Sequence, residues 1–362
     1  MSKRKVREKS IINIDQSWTS PLLHTLEGHN YSVVSLAVSN DGRLLFSASH
    51  DKTIGIWDLK NLKKVRCFRD SNSGFSTIAV TANGRVVASA ANNMAGDRDH
   101  TIKIWNAQTG KQERSLIGHK APIDALCITP DGRAIVSGSR DKTLKVWELK
   151  SGKELHTFTG HTHSVKCVAL SKDGKLMVSG SIDFNIKVWD LKRGLELRTL
   201  SGHSSTVNAV VITPDGRQLI SASGSVFLRH IARDGRRVIH RSFENDLKLW
   251  DLETGHCLIT FKGHQAPVKD VGLLPDLQHM ISVSYDGQMK LWNLSSNREL
   301  ASWPCHQCGV EQVVVTPEYR AITATGEVSF MSHETGRPLR AYPDYSIKVW
   351  DLNPYLKSRE KR

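Results

Sequence analysis

Seven of the nine tryptophans in this 362-residue chain occupy one place in a recurring pattern. Trp57, Trp105, Trp147, Trp189, Trp250, Trp292 and Trp350 each close a similar short β-like run, and Trp303 stands outside the series. Four of the seven follow the His of a Gly-His pair by 28 residues, and His119, His161 and His203 are spaced 42 apart. A chain that repeats at this interval makes one supersecondary unit many times, so its fold depends on how like units cover one another.

Between Gly118 and Gly160 one unit holds four short β-branched runs, separated by Pro130-Asp131-Gly132, Ser139-Arg140-Asp141 and Lys150-Ser151-Gly152. Apolar runs bounded by such turn residues predict four antiparallel strands. Strand a is expected near Pro122 to Ile128, b near Arg133 to Ser139, c near Thr143 to Leu149 and d near Glu154 to Phe158. A lone four-stranded sheet with two apolar faces cannot cover itself. Copies must stack, and a period of this length with Gly-His and Trp-Asp marks predicts a propeller.

Gly28-His29 with Trp57-Asp58, Gly160-His161 with Trp189-Asp190, Gly202-His203 with Trp250-Asp251 and Gly263-His264 with Trp292-Asn293 carry a resemblance to the WD-repeat family over roughly residues 22 to 352. The Thr-Pro-Asp-Gly-Arg and Leu-Lys-Val-Trp wording is most similar to bacterial tandem arrays. This resemblance implies a network in each blade, from indole through hydroxyl and imidazole to carboxylate. The sets are His29, Ser47, Asp51, Trp57; His119, Ser137, Asp141, Trp147; His161, Ser179, Asp183, Trp189; and His264, Ser282, Asp286, Trp292. A Ser, a His and an Asp together invite a hydrolase reading, but recurrence in blade after blade argues for structure. Ser71, Glu244 in place of a turn Asp, and Thr323 break the pattern, which predicts looser blades two, five and seven.

The fold expected is all-β: a seven-bladed propeller of four-stranded antiparallel blades over residues 21–353, between basic tails at 1–20 and 354–362. Pro21 to Leu26 reads as a strand d without its blade, and Ser346 to Leu352 as a strand c without a following d. Pairing them closes the ring and removes the open edge. A second register, with Val328 to Tyr342 completing the last blade internally, is the alternative. Excess length falls near 92–98, 224–243 and 326–343, always between strands b and c and therefore on one rim, the top. The middle insertion reads as a hairpin around Arg233-Asp234-Gly235, and the last one similarly around Glu334-Thr335-Gly336.

The chain has 50 basic and 36 acidic side chains, a net charge of +14. Residues 1–10 carry five basic and one acidic, 224–243 five Arg and one Asp, and 355–362 four basic and one acidic, which accounts for eleven of the fourteen. The blades are close to neutral. Cys305 and Cys308 flank His306 and Gln307, but no second Cys pair stands at zinc-ligand spacing, and Cys67, Cys127, Cys167 and Cys257 read as single core residues. No spanning apolar stretch or signal peptide is visible, so a reducing cytoplasm is expected.

No catalytic, cofactor or metal residues are assigned, and no small-molecule substrate or membrane is expected. The expectation is a non-enzymatic scaffold that docks a protein or peptide on its top face. The residues preceding each turn Asp should reach the channel mouth: His50, Arg98, Arg140, Ile182, Phe243 or its neighbour, Tyr285 and Pro343, bordered by Asp124, Lys166, Lys269 and Glu311. Arg and aromatic residues gathered on a rigid rim fit a binding hot spot. The alternative is a nucleic-acid-associated subunit using Arg229, Arg233, Arg236, Arg237 and Arg241 with the tails.

Overall fold

The computed structural model describes residues 20–70, 74–92, 99–225, 228–231, 237–240, 244–307, 309–325 and 344–357. In the unit read above, strands form at Ile123–Ile128, Ala134–Ser139, Leu144–Glu148 and Glu154–Phe158, paired antiparallel in that order. Six sheets of this kind follow one another along the chain, and a seventh takes Val310–Val315, Arg320–Thr325 and Ile347–Asp351 from one end and Leu22–Leu26 from the other. Leu26 lies opposite Ile347, so terminal closure is the register found. The inner strand of each blade packs beside the next, from Val33–Val38 round to Val310–Val315 and back. Among the described residues no helix is long and apolar enough to cross a membrane.

The core lies between the sheets. Each of seven apolar clusters is built from the facing sides of two neighbouring blades, for example Phe46, Ile54 and Phe68 against Phe75, Val87 and Trp105. The repeated Trp residues are all buried, and the strand-d aromatic of one blade packs on the Trp of the next: Phe68 on Trp105 at 5.4 Å, Phe158 on Trp189 at 5.5 Å and Phe261 on Trp292 at 5.9 Å between centroids. Trp303, outside the repeat of strand-c tryptophans, fills this strand-d place in blade six and shares a cluster with Trp350. It also packs edge-on against Tyr355, at 4.9 Å. Tyr355 belongs to a short helix, Asn353–Lys357, so the packed ring extends past residue 353 into what reads in the sequence as tail.

The insertions lie where strands b and c meet at the top. Leu228–Ile231 and Arg237–His240 pair as a two-stranded antiparallel hairpin. Most of 92–98, all of 326–343 with its second hairpin, and the alternative register at Val328 to Tyr342 lie outside the described residues.

Closure can be tested through one side chain. Leu26 is 2% exposed inside the cluster joining blades seven and one, whereas Leu22 on the same strand is 40% exposed. We expect Leu26→Ala to cost about 2–5 kcal/mol in urea denaturation, and Leu22→Ala to stay within about 0.5 kcal/mol of wild type.

Candidate partner-binding site

Each blade is tied internally by the repeated polar set. In blade three the Trp147 indole N–H donates to Ser137 Oγ at 2.9 Å, Ser137 Oγ lies 2.7 Å from His119 Nε2, and His119 Nδ1 lies 2.8 Å from Asp141. Gly118 precedes the His because a Cβ there would come within 2.8 Å of the Trp147 ring. The carboxylate also accepts the backbone N–H of Lys120 and of Thr143, joining the d-a loop to the start of strand c. Blades one, four and six repeat these contacts through His29, Ser47, Asp51 and Trp57; His161, Ser179, Asp183 and Trp189; and His264, Ser282, Asp286 and Trp292. Ser137 is fully buried and its oxygen is already engaged by indole and imidazole, which leaves it no access to a substrate.

The three irregular blades solve the same problem differently. Glu244 reaches His203 at 2.7 Å, and Thr323 sits between Trp350 and His306 at 2.9 Å from each, with Asp344 on the other side of that imidazole. Blades five and seven therefore carry complete networks, contrary to the looseness expected from sequence, because one extra methylene or methyl still delivers the oxygen to the same place. His306 is thereby committed within its blade, and among the described residues no group of three His, Cys, Asp or Glu side chains could hold a metal. In blade two the buried Lys103 lies within salt-bridge reach of both Asp70 and Asp99, and Trp105 still donates to Ser89 at 2.8 Å; Ser71, at the His position, lies outside the described residues.

Burial pushes the network carboxyls up, but the imidazole, hydroxyl and backbone donors outweigh it. Asp183 and Glu244 are held at about 2, and Asp51, Asp141 and Asp344 lie lower still. Burial raises the thiols of Cys127 to about 11 and Cys167 to about 12, whereas Cys67 and Cys257 stand exposed on strand d rather than in the core.

All seven inner strands carry a β-bulge near their start, for example between Ile123 and Ala125 and between Val268 and Asp270. The bulge re-aims a side chain. At these positions stand Val34, Ser76, Asp124, Lys166, Asn208, Lys269 and Glu311, and together they line a central cavity of about 470 Å³. Polar side chains here and one residue further on bridge every pair of neighbouring blades. Ser35 accepts the Ile78 N–H at 3.1 Å, Ser76 donates to the Ile123 carbonyl at 2.8 Å, and Lys166 meets Asp124 at 2.9 Å. Cys167 donates to the Val207 carbonyl at 3.7 Å, Asn208 donates to the Val268 carbonyl at 2.8 Å, and Asp270 accepts the Val313 N–H at 3.1 Å. Gln312 accepts the Leu36 N–H and completes the circuit.

Of the residues expected at the mouth, His50, Arg140, Lys166 and Lys269 line this cavity, as do Asp124 and Glu311. Arg140 grips Asp124 through Nε and Nη2. Tyr285 stands behind the lining, donating to Glu311 at 2.8 Å with the Lys269 ammonium 4.6 Å from its ring centre. Ile182 is half-buried and does not line the cavity. Arg229 and Arg237 sit on the paired strands of the hairpin, and Arg98, Arg233, Arg236, Arg241, Phe243 and Pro343 lie outside the described residues. Two features were not singled out from sequence. Tyr31 stacks on Tyr345 at 5.5 Å beside His50, across the joint of blades seven and one. Asp270 is half-buried in the channel wall, and desolvation there pushes its carboxyl up to about 7 despite the two backbone N–H groups it accepts. The signal for Asp270 was a carboxylate at an inward position of the Val268–Leu273 strand.

The WD domain, G-beta repeat family model matches residues 20–58, 62–106, 110–148, 152–190, 194–228 and 255–293. The chain belongs to this family. Individual relatives are similar over shorter stretches. A Lissencephaly-1 homolog of Caenorhabditis briggsae is 29% identical over 33% of this chain and 29% of its own length, and an uncharacterized WD repeat-containing protein of Synechocystis is 28% identical over 35% of each. The COMPASS component SWD3 of Saccharomyces cerevisiae is 33% identical over 26% of this chain and 29% of its own. The matches thus span about a third or less of these relatives.

Two predictions follow from the polar groups. Lys103→Met leaves the buried Asp70 and Asp99 carboxylates without their cation, and we expect a loss of about 3–5 kcal/mol by denaturant unfolding. Asp270 binds its proton more tightly folded than unfolded, so its contribution to stability is full below pH about 4 and is lost as pH rises through about 7. The stability difference between wild type and Asp270→Asn, read from thermal melts across that range, should shift toward the variant as pH increases.

Proposed function

We propose that this chain is a non-enzymatic interaction propeller that docks a protein or peptide partner on its top face, in a reducing cytoplasm. The observation that carries this reading is the channel mouth: a concave site lined from all seven blades, bearing Arg140, Lys166 and Lys269. It opens on the same side as the b-c insertions, which include the Leu228–Ile231 and Arg237–His240 hairpin. Segregation of insertions to one face marks the binding face of repeat proteins. Rigid closure supports this role, since a partner meeting a preorganised rim avoids most of the ordering cost of association. The repeated Ser-His-Asp sets give no support to an enzyme, because each serine is buried and hydrogen-bonded within its blade. One relative is named as a component of COMPASS, which fits a module that works by joining others.

The test is affinity capture from the native cell with mass spectrometry. Arg140→Glu combined with Tyr285→Ala should abolish capture of the wild-type partner while thermal melts show an intact fold. Undiminished capture refutes the top-face placement. Capture dominated by nucleic acid, with binding that falls steeply with salt and is lost on deleting residues 225–241, would favour the Arg-rich hairpin as a nucleic-acid contact instead.

A further inference from the structure

The carboxylates of the mouth are occupied, and its cations are not fully used. Asp124, only 7% exposed, is gripped by Arg140 and Lys166 together. Glu311 takes the Lys269 ammonium at 3.1 Å and the Tyr285 hydroxyl, and the charge of Lys166 also acts on it across the channel. Among the described residues three cations thus face two clamped carboxylates, and the third carboxyl of the lining, Asp270, is already held by the Val271 and Val313 backbone N–H groups. Arg140 is 53% exposed, and its Nη1 meets no acceptor among the described residues. Lys166 and Lys269 remain 27% and 21% exposed toward the same cavity. An incoming cation would have to break existing ion pairs, whereas an incoming anion meets donors that need no rearrangement.

The lining narrows the choice of anion. The cavity is about 470 Å³, bounded by seven strands, and among the described residues its lining holds no Phe, Tyr or Trp. It admits one or two side chains, and among its described lining residues no Phe, Tyr or Trp face is offered to a base, the usual source of affinity for single-stranded nucleic acid. We infer that the group received in this mouth is the carboxylate of an Asp or Glu side chain from an acidic peptide segment, seated on Arg140 Nη1 with Lys166 and Lys269 around it. The inference rests on the top-face reading and names the chemistry of its partner.

Fluorescence anisotropy of the full chain with labelled hexaglutamate, hexaglutamine, hexalysine and a short oligothymidylate tests it. Hexaglutamate should bind at least about tenfold more tightly than hexaglutamine, with hexalysine weaker than both. Arg140→Met, which leaves Asp124 paired with Lys166 and so keeps the fold, should remove that preference, and Arg140→Lys should restore only part of it. Deleting residues 225–241 should leave it unchanged. Equal binding of hexaglutamate and hexaglutamine, or a preference indifferent to Arg140→Met, overturns the inference, as does an Arg140-dependent preference for oligothymidylate over hexaglutamate. If the double variant above loses its cellular partner while hexaglutamate shows no preference, top-face docking stands and the acidic segment fails. If capture is unaffected by the double variant, the docking face itself is wrong.

Discussion

A four-stranded sheet with two apolar faces has no interior, and this constraint shapes the whole molecule. Every apolar cluster is shared between two blades, so no blade holds a core of its own. Stability comes from joints, and an open ring would leave one joint unmade and one sheet edge unpaired. Leu22–Leu26 therefore has a role out of proportion to its five residues: it supplies both the outer strand of blade seven and, through Leu26, part of the cluster between blades seven and one.

Packing by indole brings a polar cost that the Ser, His and Asp of each blade offset. A buried indole N–H without an acceptor costs about 1–3 kcal/mol, and so does each further group recruited to satisfy it, until the chain of donors reaches a carboxylate that backbone N–H groups also hold. What is required is an anion at the end of the chain and a hydrogen-bonding group in the middle. Glu244 and Thr323 meet that requirement, whereas blade two adds a separate ion-pair cluster in which Lys103 is held by two carboxylates.

This explains what the sequence made legible and what it did not. Strand positions, blade number and terminal closure follow from spacing, since identical turns and alternation must give identical units, and the four regular networks are what the resemblance to the WD-repeat family implies. The irregular blades were misjudged because departure from a residue pattern was read as loss of an interaction, while geometry preserved the interaction with another residue type. Trp303 looked anomalous for the same reason: its place in strand d holds Phe68, Phe158 and Phe261 elsewhere, and any large ring suits the joint. Cys67 and Cys257 were expected inside because strand d alternates weakly, and only the folded edge tells which side faces solvent. At the mouth, His50, Arg140, Lys166 and Lys269 are legible from their fixed offset to the repeat marks, whereas Tyr345 follows its turn Asp and Asp270 lies one residue beyond the bulge, so neither stands at that offset.

The inner strands put the joints between blades and the lining of the central cavity on the same residues. A regular strand would alternate side chains strictly between its two faces, whereas the bulge near the start of each inner strand re-aims one residue toward the channel and neighbouring blade. Asp124 and Lys166 hold blades three and four together and also set the charge that an incoming group meets, as Lys269 and Glu311 do for blades six and seven. Where Ser76 and Asn208 make the bridge, they donate to backbone carbonyls and contribute no charge. Between the described inner strands, cation–carboxylate pairs thus stand at two of the seven joints, each pair's net field being small until Arg140 is added from the b-c corner of blade three. The polarity of the mouth is accordingly decided by a residue that no blade joint requires, so under the proposed docking role the specificity of the face can change without reopening the ring.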